Sequence, residues 1–394
     1  MKRTHGSGPR TDRIVDIDIL RGFALFGVLL VNMLTFAYPS YYFGPLKTPG
    51  TGQLNAGFEL GVRLFAEAAF FPMFAFLFGL GIWLHFGSHW KRNRWSSVLH
   101  WKRIGLLFVA GVLHGVFLWI GDILALFAVS GAVLFFLPDR PVRVALWVVA
   151  AGFTLSFALF WIHAHGAQES ISFSVIRDAV STYRGGGFPE IAAQRAPEFA
   201  LSLRGQITRW MPQISALFLA GFLAGRRRLH YRTPHNRRLL ARVAVVGFTI
   251  GLPIKFAYGL TLVYFPDAAV WHGFIRALSL AVGGPALAAG YFSSLFLLLE
   301  RNAVLRFMRP LSALGRMSLS GYIMQSVIAS FLFYGYGLGL FGRYGAAFAS
   351  MLTVAVFLVQ VVAAAWWLRV FRLGPLEWVL KSLLYGGRQP LLRR

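Results

Sequence analysis

Cysteine is missing from all 394 residues. The chain therefore forms no disulfide, offers no thiol nucleophile and builds no zinc–thiolate centre, while its redox compartment stays undecided. Charge is scarce as well, with Asp, Glu, Lys and Arg at 13% of the chain against 57% hydrophobic residues. What is plentiful is apolar sequence in long blocks rather than the short alternations of a soluble fold, and that makes this a membrane protein. A net charge of +25 would suit a nucleic-acid binder if the basic residues formed a face. They lie between apolar blocks instead, as in KRNRW (Lys91 to Trp95), RRRLHYR (Arg226 to Arg232) and RFMR (Arg306 to Arg309), so their role is topological and no nucleic-acid partner is expected.

The basic start MKRTHGSGPRTDR precedes an apolar run longer than a signal-peptide core, and no small-residue cleavage pattern follows. The first helix is expected to stay as a signal anchor. A spanning helix needs about 20 apolar residues, which divides the chain into about ten spans. They fall near 17–37, 61–86, 103–120, 123–137, 143–163, 207–225, 241–263, 272–299, 311–334 and 345–368. The third and fourth, separated only by Ile120, Gly121 and Asp122, also read as one hairpin with a tilted or partly re-entrant arm. Basic residues collect in the loops after spans two, four, six and eight, whereas the loops after one, seven and nine hold only Lys47, none and Arg343. The expectation is an all-α polytopic bundle in a bacterial inner membrane with both termini cytoplasmic. Residues 1–16 would be an inner segment, 17–368 one transmembrane domain and 369–394 a basic inner tail. The segment 164–206 would lie outside, its SFSVIRDAVSTYRGGG portion either an amphipathic helix on the outer surface or part of a plain connector.

Polar groups inside lipid are costly and usually face a site or pathway. In the first span Asp18, Arg21 and Asn32 share a helix face, with Asn32 about 16 Å above Arg21. His114 stands at the same interval from Arg103, so the spacing puts Asn32 and His114 at one depth. His suits proton transfer near neutral pH. Asp122 either supports His114 or caps the helix it opens. In GRMSLSGYIMQSVIASF, residues Ser318, Tyr322 and Gln325 make a polar stripe after Arg316. Each of these groups also fits a structural role, as interfacial anchor or interhelical glue. Lys255, His272 and Arg276 read best as outer-side snorkelling groups, and GLPIKFAYG, with Gly251 and Pro253, is the best candidate for the helix break that a transporter would have. HAH at His163 to His165 lacks companions at ligand spacing, so no metal is assigned.

Several blocks resemble the YeiB-like family of bacterial inner-membrane proteins: IDILRGFALFGVLLVNM (Ile17 to Met33), FPMFAFLFGLG (Phe71 to Gly81), GVLHGVFLWIGDILALFAVSG (Gly111 to Gly131), GRMSLSGYIMQSVI (Gly315 to Ile328) and FRLGPLEWVLK (Phe371 to Lys381). Together they cover nearly the whole chain in order. The family is distantly similar to transmembrane acyltransferases, such as the heparan glucosaminide acetyltransferase and bacterial sugar O-acetyltransferases. The shared D-x-x-R-G element is carried here by Asp18, Arg21 and Gly22, with Asn32 further up. Two departures stand out. No His lies between Asn32 and Phe58, where the heparan enzyme has its catalytic one, and Ser320, Gly321 and Tyr322 replace a family T-N-Y.

The resemblance implies acyl transfer from cytosolic acyl-CoA, with no permanently bound cofactor, to a sugar, amine or lipid acceptor. In that reading Arg21, Asp18, Arg316, Tyr322 and Gln325 line the substrate path. His114 is the base, Asp122 orients it and Asn32 stabilises the oxyanion. A transporter would use the same intramembrane groups as a substrate site or proton relay, and a lipid-binding assembly protein would suit the 16% aromatic content. Membrane lipids are partners in every case, and a homo-oligomer is compatible with all three.

Overall fold

The computed structural model describes residues 15–38, 52–87, 94–137, 140–165, 173–264 and 269–393. Most of the 1–16 segment, Lys47 and the Lys91 to Asn93 part of the first basic loop lie outside them. Every regular element among the described residues is helical, apart from an isolated bridge between Phe371 and Leu392. In chain order these are α1 (Val15–Ala37), α2 (Gln53–Phe65), α3 (Phe70–Phe86), α4 (Arg94–Phe117), α5 (Leu124–Leu134), α6 (Val142–His165), α7 (Phe173–Gly185), α8 (Phe188–Arg209) and α9 (Met211–Arg226). There follow α10 (Pro234–Tyr264), α11 (Ala269–Leu278), a π-turn (Ser279–Gly283), α12 (Gly284–Leu298), α13 (Asn302–Met308), α14 (Leu311–Arg316), α15 (Ser318–Phe333), α16 (Ala346–Val370) and α17 (Pro375–Tyr385).

Among the described residues, six helices are long and apolar enough to cross a membrane: α1, α2 with α3, α6, α10, α11 with α12, and α16. Their outward faces are unlike those of a soluble bundle. Trp147 on α6, Val245 on α10 and Val359, Val362 and Trp366 on α16 are all more than 60% exposed, an apolar band suited to lipid. α5 and α15 are shorter apolar helices, tucked among the others.

The interior is sealed by close backbone approach and by rings. Gly79 on α3 meets the Phe218 carbonyl, and Gly221 on α9 meets the Phe76 carbonyl, so any side chain at either glycine would push the two helices apart. Phe218 then stacks on Phe78 at 4.8 Å and meets Phe127 of α5 edge-on at 5.1 Å. These contacts seat the α4–α5 hairpin against α3 and α9.

Helix continuity differs from the sequence expectation in two spans. α10 runs unbroken through Pro253, as proline is tolerated within transmembrane helices. The breaks fall at 66–69, between α2 and α3, where Ala68 has φ 56°, and at the π-turn. In the segment expected outside, the SFSVIRDAVSTYRGGG portion forms α7, and the following α8 packs into the bundle with Ile191 and Arg195 at 0% exposure and Phe199 at 4%. α8 buries Arg195 and Glu198, while Glu190 and Arg204 stay exposed. The span read as 311–334 is divided at Met317 into α14 and α15.

Candidate active site

The hairpin tip places the first candidate residues. α4 ends where the His114 carbonyl accepts from both Leu118 and Trp119 N–H, each at 2.9 Å, which closes the last turn. Asp122 Oδ1 accepts from Ala125 N–H at 2.8 Å and so satisfies an orphan donor at the start of α5. The two arms touch at Gly111, where a Cβ would meet Ala125 N and lie 2.7 Å from Asp122 Oδ1. Trp119 in the turn stacks on Phe36 of α1 at 4.9 Å.

Both ring nitrogens of His114 are engaged. Nδ1 lies 2.8 Å from Asp122 Oδ2, and Nε2 lies 2.8 Å from the Ser326 hydroxyl on α15. The three side chains belong to residues only 2%, 0% and 1% exposed for His114, Asp122 and Ser326, so each polar group depends on the others. With Asp122 ionised and accepting from Ala125, its second oxygen accepts the Nδ1–H; Nε2 is then the acceptor and Ser326 O–H the donor. This is the arrangement in which a hydroxyl gives its proton to an imidazole held by a carboxylate. Tyr322, one turn before Ser326, packs its ring 5.0 Å from the His114 ring. Its phenol oxygen accepts from Ile123 N–H at 3.3 Å, which ties α15 to the hairpin tip.

Asp122 thus takes both roles that the sequence left open, helix cap and imidazole partner. Ser326 was not singled out. It stands at i+4 from Tyr322, the spacing that shares a face, and that spacing was the available signal.

The remaining candidates scatter. Arg21 Nη1 donates to Asp18 Oδ1 at 3.5 Å at the opposite end of α1. Arg103 approaches Arg21, and its guanidinium lies 4.9 Å over the Phe78 ring; His85 faces both Arg103 and Lys381, and its Nε2 is 3.3 Å from the Tyr385 hydroxyl. The result is a basic cluster at that end. Asn32 is half-buried, and its carbonyl accepts from Thr35 Oγ1 at 2.8 Å. It is not among the hydrogen-bond partners of the His114 ring, which are Asp122 and Ser326. Gln325 is turned to α16, donating to Gln360 Oε1 at 3.2 Å, and Arg316 Nη2 donates to the Arg372 carbonyl at 3.5 Å. Glu377 on α17 caps α15: its Oε1 accepts from Leu319 N–H at 2.8 Å and Ser320 N–H at 3.1 Å, and its Oε2 accepts from Ser320 Oγ at 2.5 Å. This capping joins the SLSGY and GPLEW blocks.

A second buried polar cluster lies at the α2–α3 break. Arg63 donates to Glu59 at 2.7 Å and Glu67 at 3.2 Å, while Lys255, at 0% exposure, donates to Ser279 Oγ in the π-turn at 3.2 Å. Lys255 is therefore internal rather than snorkelling. The carboxylates and cations of this cluster balance, which is what makes burying them tolerable.

Residues 224–387, a stretch that includes Ser326 and Glu377, match the family described as "Protein of unknown function (DUF418)". Over 403 aligned positions the chain is 30% identical to the uncharacterized protein YxaH of Bacillus subtilis, with 97% of each chain covered. It is 28% identical to an uncharacterized 39.9 kDa protein of Bacillus acidopullulyticus, over 97% of this chain and 96% of the relative. It is 27% identical to the uncharacterized protein YeiB of Escherichia coli, over 97% of this chain and 99% of the relative.

Proposed function

The chain belongs to the YeiB-like DUF418 family, and on that premise we propose that it is a membrane-embedded acyltransferase working through Ser326, His114 and Asp122. One observation carries the reading: a hydroxyl, an imidazole and a carboxylate linked by two 2.8 Å hydrogen bonds inside a bundle where polar groups are otherwise expensive.

In this reading Ser326 Oγ attacks the thioester carbonyl of an acyl-CoA as His114 Nε2 takes its proton. The C–S bond then breaks, and the departing thiolate receives that proton to leave as CoA. In the second half, an acceptor hydroxyl or amine gives its proton to Nε2 while attacking the Ser326 ester, and the serine oxygen leaves with the proton restored. Asp122 holds the imidazole tautomer and steadies the imidazolium formed in each half. Tyr322 O–H, beside His114, is the donor best placed for the developing oxyanion, a role the sequence suggested for Asn32. The Arg21, Arg103 and Lys381 cluster supplies charge for the CoA phosphates at the end of the bundle that the basic loops mark as cytoplasmic. Arg103 stands about 16 Å below His114 along α4, a depth suited to an extended pantetheine arm.

The test uses the absence of cysteine: a thiol-reactive dye reads only released CoA. Full-length protein in detergent should release CoA from acyl-CoA, and His114→Ala should abolish the release. Equal release from both proteins would end the proposal.

A transport reading is favoured by a separate observation. The strained break at Ala68 packs against Gly284, just after the π-turn, and beside it lie the half-buried Glu67 and the buried Lys255. Discontinuous helices lined by ionisable groups are what transporters place around a substrate or proton. Proteoliposomes that move protons or solute, with a Lys255→Met variant that does not, would support it over acyl transfer.

A further inference from the structure

A buried guanidinium with two of its three nitrogens unbonded sits beside the helix that carries His114. Arg195 on α8 is 0% exposed. Its Nη1 donates to the Val116 carbonyl at 3.5 Å, two residues past His114 on α4. Nε and Nη2 are buried and make no hydrogen bond of normal geometry among the described residues, the Tyr334 phenol being a polar group beside the guanidinium. Those two N–H groups form one edge of the guanidinium and point in parallel, the fork that grips two oxygens of a carboxylate or phosphate.

The walls around that edge suit an anion. The guanidinium lies 4.9 Å over the Tyr334 ring and 5.8 Å from that of Tyr183. Glu198, one turn along α8, is the carboxylate of this shell. Its Oε2 accepts from Tyr183 O–H at 2.5 Å and its Oε1 from Gln194 at 2.7 Å, so both oxygens have donors other than the Arg195 fork. Burial, with Tyr334 and Glu198 beside it, pushes the Tyr183 phenol far above its ordinary range, so it remains a donor to Glu198. The Tyr336 hydroxyl, whose ring is 6.0 Å from that of Tyr334, is also buried without a hydrogen-bond partner among the described residues. An arginine does not escape the cost of burial by losing its proton. Leaving charged donors unpaired in such a place is costly, and an oxyanion relieves it.

We propose that the Arg195 fork and the Tyr336 hydroxyl form an oxyanion-binding site for the phosphate or carboxylate of the acceptor, beside the outer end of α4. The inference rests on the acyl-transfer reading and narrows its acceptor to a molecule bearing an anionic group. The Val116 contact sets the anion near the His114 turn, so an acceptor held there by its charged end presents a hydroxyl or amine toward the relay. An anionic lipid headgroup and a soluble phosphate ester share this chemistry.

Binding is measured without acyl-CoA, by thermal shift of the full chain in a maltoside detergent, titrated with inorganic phosphate or with a short-chain phosphatidylglycerol at constant ionic strength. Wild type and His114→Ala should both show saturable stabilisation. Arg195→Lys, which keeps the charge and loses the fork, should weaken it by about tenfold or more, the loss of a charge-assisted bond. Tyr336→Phe gives a second, milder variant in case Arg195→Lys folds poorly. Response to phosphate identifies a soluble ester, and response to the lipid alone identifies a headgroup. No saturable response to either probe, or equal responses in wild type and both variants, overturns the site. Binding without CoA release from acyl-CoA would leave the site standing and remove the acyl-transfer reading. CoA release without binding would remove only the site.

Discussion

The His114 imidazole and the Ser326 hydroxyl, 212 residues apart in the chain, meet at 2.8 Å, while Asp122 holds the other ring nitrogen at the same distance. The direction of proton flow depends on that second contact. Asp122→Asn keeps an acceptor for only one of its two present donors and lets the imidazole turn to the tautomer with a proton on Nε2. Acyl transfer should then fall by roughly 10⁴-fold, with a smaller loss of thermal stability. CoA-release kinetics beside a melting curve give both numbers, and an unchanged rate would mean the carboxylate only caps α5.

The hairpin needs its close approach as much as its hydrogen bonds. Gly111→Ala puts a Cβ against Ala125 N and Asp122 Oδ1, so the arms must separate. A loss of about 1–3 kcal/mol is expected, with reduced activity. Gly105→Ala on the same helix meets nothing within 4 Å and should be neutral or stabilising by about 0.5–1 kcal/mol. Thermal denaturation of the pair in one detergent checks the contrast.

Much of this was legible from residue order. Apolar block length marked out the helical bundle, and the Gly121–Asp122 turn with His114 eleven residues beyond Arg103 marked the hairpin. The partner across the bundle was less legible, because helical periodicity names a face but not what it meets. Around Tyr322 the residues Gln325 and Ser326 lie on either side of one face: Gln325 turned to Gln360, and the plainer Ser326 turned to His114. Asn32 and His114 share a depth by the ruler of helix rise, yet rotation about each axis is set by packing, and the ruler is blind to it. Lys255 read as a surface group because nothing in its neighbours in sequence reveals Ser279 or the Glu59–Arg63–Glu67 cluster.

That cluster yields a stability prediction independent of the relay. Arg63 sits between two carboxylates, with its side chain 13% exposed. Arg63→Met leaves Glu59 and Glu67 without their shared cation and should cost about 3–5 kcal/mol. Replacing Glu59 and Glu67 by Gln in the same chain should recover part of the loss. Melting of the single and triple variants measures it, and a neutral Arg63→Met would show that the pairings carry little.

The α15 cap is tested at Glu377. Its carboxylate serves two backbone N–H groups and the Ser320 hydroxyl. Glu377→Ala should destabilise by about 1–3 kcal/mol and lower activity through the helix that carries Ser326, whereas Glu377→Gln, which keeps one acceptor, should lose less. Hydrogen exchange of the Leu319 and Ser320 amides should rise in the alanine variant and stay low in wild type.

The central claim is that Ser326 carries the acyl group between donor and acceptor. Its most direct test is peptide mass spectrometry of the full-length protein after incubation with acyl-CoA and no acceptor. The expected result is an ester on Ser326 that is absent from Ser326→Ala and His114→Ala. An unmodified Ser326 in wild-type protein that is releasing CoA would contradict it.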